Sequence, residues 1–327
     1  MNFQRRIATL SVVTGILALV YALSLIFDPD RLAVRNSNSS LLDGKLTAKV
    51  ERIELRAGAE AGGEIVALVR ADGIWKVEKE GAAFPAKKER IQDLLDTLSK
   101  KSPYPTRGKT AASHVSLGVE DASAGRIALS PLDGSSRILD LLVGNLDSTG
   151  QEVYLRRSGD ERVFSGSDQL ASFVSGGARA WLDLRLFAGA GAPQPETIQK
   201  ISVVSRIDPA SPFEYTIARD AAKKWAVQAG GGSPAGTLDT QKTEAFAKGI
   251  AAATADDILS ASADPGAEAA SVTVELGDGS SRTIRVGDKL EGNKRKAVVS
   301  GGASTFALSD WSVARIAKPL AELLAAN

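Results

Sequence analysis

His114 is the one imidazole in the chain, and an imidazole is the side chain best suited to exchanging a proton near neutral pH. It stands in Ala112-Ser113-His114-Val115 with no motif nearby to orient it, so a structural or surface role is expected. Gly230-Gly231-Gly232 is followed by Ser233-Pro234 and lacks the Gly-Lys-Ser/Thr ending of a phosphate-cradling loop. It reads as a hairpin tip. Gly277-Asp278-Gly279 joins two strand patterns and opens no helix, which disfavours a dinucleotide site. Asp28 with Asp30, and Glu120 with Asp121, are carboxylates adjacent in sequence, but acid–base catalysis needs facing geometry. Solvated faces are expected. Lys289, Lys294, Arg295 and Lys296 lie in a hairpin-like run where charge is ordinary. Trp75 and Trp225 hold matching strand positions that suit core packing.

With no Cys, disulfides, thiolate metal sites, cysteine nucleophiles and lipid-modified cysteine anchors are excluded. A multi-histidine metal site is excluded by the same arithmetic. No nucleophile–base–orienter set can be assembled, so the chain is read as a non-enzyme with neither catalytic residue, metal nor cofactor. Forty Lys and Arg against 39 Asp and Glu provide no electrostatic case for nucleic acid as a partner.

The elements that would position any site begin with a membrane signal. Residues 7–27 carry no charge, and a helix of that length spans about 31 Å, enough for a bilayer core of about 30 Å. The run is longer than a cleaved signal's apolar region and has no Ala-x-Ala ending. Arg5 and Arg6 precede it and Asp28 and Asp30 follow, so residues 1–6 are a cytoplasmic stub and the rest lies outside. This describes a single-pass anchor with an extracytoplasmic bulk. Ala8, Ser11, Gly15, Ala18 and Ala22 follow one helical face. Small residues so placed let helices approach closely, making this face the candidate docking surface; chance in an Ala-rich chain is the competing reading. Residues 28–48 are read as a tether.

The remainder repeats itself. Asp133-Gly134-Ser135-Ser136-Arg137 recurs at 278–282, Val143-Gly144-Asn145 at Val286-Gly287-Asp288, and Val163-Phe164 near Thr305-Phe306. Trp75 and Trp225, and Ile53-Glu54-Leu55 and Ile201-Ser202-Val203, continue the match in the same order. The expected fold is α+β: a transmembrane helix, then two tandem, homologous, mainly antiparallel sheet-and-helix repeats. The first covers 49–188 and the second 198–327, with 189–197 as hinge. Helices are expected over 87–100, 240–253, 169–174 and 311–324.

Stub, anchor, Asp-Gly/Trp hairpin, Leu117-Gly118-Val119-Glu120, Val-Gly strand and Val163-Phe164 together resemble a bacterial domain-of-unknown-function family. Its members are often encoded beside gliding-motility-type ABC transporters. The resemblance implies an accessory or scaffold subunit whose partners are the bilayer and an ABC transporter permease or auxiliary membrane protein. The alternative is an independently anchored module that binds an envelope glycan or other polymer.

Overall fold

Arg52–Arg56 alternates charged residues with Ile53 and Leu55, a period of two that suits a strand with one buried face. The computed structural model describes residues 14, 17, 21, 38–59, 62–134, 136–188, 192–230 and 236–325. Thr14, Leu17 and Tyr21 are helical and exposed, and the rest of the apolar run 7–27 lies outside the described residues. Among the described residues, no helix is long and apolar enough to cross a membrane. The chain divides into two compact units, 1–77 with 87–181 and 78–86 with 182–327. Residues 182–188, expected in the first repeat, therefore group with the second.

Around the first sheet the chain runs β1 (Asn38–Ser39), β2 (Arg52–Arg56), β3 (Ile65–Ala71), β4 (Ile74–Lys79), β5 (Ala82–Pro85), α1 (Lys88–Ser99), β6 (Ser102–Pro103) and β7 (Thr106–Gly108), with β5 and the end of β4 in the segment 78–86 that groups with the second unit. It continues through α2 (Ala111–Ser116), β8 (Gly125–Ser130), β9 (Leu139–Leu146), β10 (Glu152–Arg157), β11 (Val163–Ser167) and α3 (Gln169–Ser175). The main sheet has the order β5-β4-β3-β2-β8-β9-β10-β11-β7. α3 lies across β2, β8 and β9 and meets α1. The helical stripe Ile91, Leu94, Leu95 and Leu98 is buried, as its spacing demands. The Asp72-Gly73 turn has positive φ at both residues, 52° and 76°, the geometry a tight hairpin requires.

The second unit runs β12 (Ile198–Ser205), β13 (Phe213–Arg219), β14 (Trp225–Gly230), α4 (Thr240–Ala251), β15 (Asp257–Ser260) and β16 (Ala270–Leu276). β17 (Ser281–Leu290), β18 (Lys294–Val299), β19 (Thr305–Ser309) and α5 (Asp310–Ile316) complete it. Its order, β14-β13-β12-β16-β17-β18-β19-β15, matches the first sheet strand for strand apart from β5, and its neighbouring strands pair antiparallel. Two tandem α+β sheet units are thus present. The last helix is shorter than its apolar spacing suggests: α5 ends at Ile316, and Pro319 precedes a separate 3-10 turn, Leu320–Leu323.

Each unit also clasps the segment leading into it. Ser39 pairs with Ser102, Leu42 N donates to Leu98 O at 2.8 Å, and Leu41 and Leu42 are buried. In the second unit Arg185 bridges Thr254, and Leu186 N donates to Ala253 O at 2.9 Å. Residues 38–48 therefore belong to the first fold, not to a free tether. Of the expected hinge, 189–191 lie outside the described residues, and Thr197 O accepts from Gly277 N within the second unit.

The repeated Val-Gly pair marks a backbone crossing. A Cβ on Gly144 would strike Leu117 O and come within 2.6 Å of Val119 Cγ1; one on Gly287 would strike Pro265 O. Asn145 N donates to Leu117 O at 3.0 Å and Asp288 N to Pro265 O at 2.8 Å. Gly144→Ala and Gly287→Ala should each destabilise the chain by roughly 1–3 kcal/mol or more through overpacking. Gly249→Ala, on a helix with open space at its Cβ, should instead stabilise by up to about 1 kcal/mol. Chemical denaturation of the three variants distinguishes these effects.

Candidate functional site

The docking face Ala8, Ser11, Gly15, Ala18 and Ala22 lies outside the described residues, as do Gly231, Gly232, Ser233 and Pro234. The His114 ring is bonded through Nε2 to Glu161 O at 2.8 Å, a structural contact that joins α2 to the β10–β11 turn. Asp121 pairs with buried Arg156 at 2.6 Å, while Glu120 lies within 3.5 Å of Ser123 Oγ. They serve separate contacts. Asp278 accepts from Ser280 and makes the β16–β17 turn. In the basic run, Lys296 and Arg295 approach Asp288 and Asp310 at 3.6 and 3.9 Å. Among the described residues, no group of three His, Cys, Asp or Glu side chains is placed to hold a metal ion.

The two tryptophans differ. Trp225 is buried, with Arg219 stacked 4.6 Å from its ring centre and its Nε1 donating to Glu244 Oε1 at 3.0 Å. Trp75 is only half-buried, which corrects the expectation of a core residue. It stands two residues after the Asp72-Gly73 turn, and the position on α1 matching Glu244 is Gln92, which bonds Asp96 instead. The fully buried tryptophan is Trp181, beneath Arg90 at 4.8 Å. It stands outside any periodic segment, so the sequence carried no signal for it.

Two recesses combine polar and aromatic walls. In the second unit a cavity of about 370 Å³ is bounded by Asp183, Arg185, Arg282, Ser300, Phe187 and Phe306. Its carboxylate is spoken for: Arg185 donates to Asp183 through Nε at 2.9 Å and Nη2 at 2.6 Å.

The first unit has a groove of about 290 Å³ at the clasp, lined by Ser39, Leu41, Tyr104, Thr106, Arg157, Asp160, Arg162 and Phe164. The Tyr104 and Phe164 rings meet edge to face, 5.6 Å between centres. Burial pushes the Tyr104 phenol up, against the opposing pull of Ser102 and the Arg157 charge, so it keeps its proton at neutral pH. Hydrogen bonds from Arg162 bring the Asp160 carboxyl down to about 2. Arg157 spends one N–H on Leu41 O at 2.8 Å and has no carboxylate partner among the described residues. What this arrangement offers is a guanidinium fork beside hydroxyl groups, which suits anion recognition.

The architecture defines a class: a duplicated α+β protein in which Leu117–Glu120 of the first unit and the repeated Val-Gly pair are structural. The family described as Domain of unknown function (DUF4340) matches residues 75–271, more than half of the chain, and the chain belongs to it. A search of curated proteins returned no match.

The depressed Asp160 carboxyl has a measurable consequence. A carboxyl lowered from its ordinary value of about 3.9 contributes stability that is complete above that value and lost as pH falls towards 2. Asp160→Asn should therefore cost a few tenths to about 1 kcal/mol at pH 6, the range for an exposed pair, and almost nothing near pH 2. Thermal midpoints of both proteins across pH 6 to 2 should converge at the acid end.

Proposed function

We propose that the chain is a non-enzymatic accessory or scaffold subunit of an ABC-type transport system, held in a bacterial inner membrane by residues 7–27 with its sheet units outside the cytoplasm. The observation that carries this reading is where the first fold begins. Asn38 and Ser39 are strand-paired, and Leu41 and Leu42 are buried, so only residues 28–37 separate the apolar run from folded structure. Eleven residue steps reach at most about 40 Å. On this reading the first unit is held beside the bilayer, where a membrane partner is within reach, and Ala8, Ser11, Gly15, Ala18 and Ala22 form the face on which a partner helix packs.

Recovery of partners from membranes in mild detergent tests it. The full chain should bring down a permease or auxiliary membrane protein. Gly15→Leu with Ala18→Leu should sharply reduce that recovery while membrane insertion persists, and Leu17→Ala with Val20→Ala should be tolerated better. Retention on an envelope glycan without any protein partner would instead support the independent binding module. A C-terminal reporter active only in the cytoplasm should stay silent; a signal from it would overturn both readings.

A further inference from the structure

The duplication provides an internal comparison for the groove at the first clasp. Val143 and Val286 are equivalent, being the valines of the Val-Gly pairs. Arg157 pairs with Leu141, two residues before Val143. Val299 pairs with Ile284, two residues before Val286. Val299 therefore stands where the first unit has Arg157. By the same logic Thr106 opposes Phe164 while Ile258 opposes Phe306. The fold accepts apolar residues at both positions, so the arginine and threonine are not needed to build the sheet.

What they add is chemistry. Arg157 keeps N–H donors beyond the one given to Leu41 O, and Tyr104, Thr106 and Ser39 place hydroxyls on the same 290 Å³ groove. Asp160, the carboxylate nearby, is engaged by Arg162 through Nε at 3.2 Å and Nη2 at 2.8 Å, so it does not cancel Arg157. A planar guanidinium fork with hydroxyl donors is complementary to a phosphodiester. Ser39 is part of the strand that begins ten residues after the apolar run.

We infer that this groove binds the phosphate of an anionic glycerophospholipid headgroup. The inference rests on the anchoring reading for the source of the ligand, since Ser39, on the groove, stands 12 residues after the last residue of the apolar run. The second unit has Val299 and Ile258 at these places; its recess beside Val299 and Phe306 has Arg185 and Arg282 on its walls instead, with Arg185 engaged by Asp183.

The chain has no Cys, so Ser158→Cys, at an exposed position beside Arg157, accepts a single environment-sensitive fluorophore. The full chain in a neutral detergent is titrated with dihexanoyl phosphatidylglycerol, with dihexanoyl phosphatidylcholine and inorganic phosphate as separate arms. The phosphatidylglycerol signal should saturate, and the other two should need at least about tenfold more ligand. Arg157→Val should weaken binding by about tenfold or more, the scale of one lost charge-assisted pair. Arg157→Lys and Tyr104→Phe should weaken it less, and Arg285→Gln, exposed on the second sheet, should leave it unchanged. Thermal midpoints establish that each variant is folded; if Arg157→Val is not, Tyr104→Phe and Arg157→Lys decide. Absence of saturation, or wild-type binding by the folded groove variants, overturns the inference. So does inorganic phosphate acting at an equal midpoint, which would make this a free-anion site. Resistance to alkaline extraction from membranes is scored separately: its loss sinks the anchoring reading, whereas detergent titration reports on the groove alone.

Discussion

Asn145 and Asp288 each follow the glycine of a Val-Gly pair, and each donates its backbone N–H to a carbonyl of a chain segment crossing the sheet, Leu117 O in one unit and Pro265 O in the other. No side chain fits beneath either crossing. In the first unit much of the local structure depends on that contact. With Leu117-Gly118 seated, Val119 O is presented to Arg156 Nε at 2.9 Å, and Asp121 to Arg156 Nη2 at 2.6 Å. Arg156 also donates to Asp160 O at 3.1 Å, which pins the end of the β10–β11 hairpin. Arg156 is buried, and a buried guanidinium is tolerable only when its donors are met. Its neighbour Arg157 points to the opposite face, as alternation along a strand requires, and reaches Leu41. Crossing, buried arginine, hairpin end and clasp are therefore consecutive links.

The second unit retains the crossing and the clasp but not the links between them. Val298 occupies the position of Arg156, by the same register that equates Val299 with Arg157. An apolar pair there asks nothing of the crossing segment, which is held instead by Asp288 Oδ1 accepting from Ala267 N at 3.0 Å. Its first hairpin has diverged too. Asp220 accepts from the N–H groups of Ala222 and Lys224, and Lys223 takes φ 61°, in place of the Asp-Gly turn of the first unit. The shared parts are those that make a sheet possible, and the unshared ones are the buried Arg156 network, the turn of the first hairpin and the side chains of the clasp grooves.

Duplication, mainly antiparallel strands and the two longer helices were legible because they rest on periodicity and on glycine. Ile91, Leu94, Leu95 and Leu98 specify α1, and Asp239 caps α4 by accepting from Lys242 N. The site was not legible. Thr106 stands on β7 with Tyr104 two residues before it, Arg157 stands on the distant β10, and no spacing in the chain relates the two stretches. The clasp was hidden for a different reason: Leu41 and Leu42 follow a polar stretch, and two apolar residues are too few to reveal a period. Trp75 misled where Trp225 did not, because matched positions in a repeat need not have matched neighbours: Glu244 accepts from the Trp225 ring, while the matching Gln92 bonds Asp96.

The clasp also bears on how strong a headgroup contact needs to be. A freely tethered domain samples a large volume, and a single guanidinium–phosphate pair, worth about 1.5–3 kcal/mol, would hold it weakly. A fold that starts ten residues from the apolar run and is pinned by β1 has much less volume to explore. Under the proposed anchoring, short linkage raises the effective concentration of headgroups at the groove to the millimolar range or above, where an affinity of about 1 mM, near −4 kcal/mol, already orders the unit. A shallow groove with one unpaired arginine is then sufficient, and a deep pocket would add nothing to positioning.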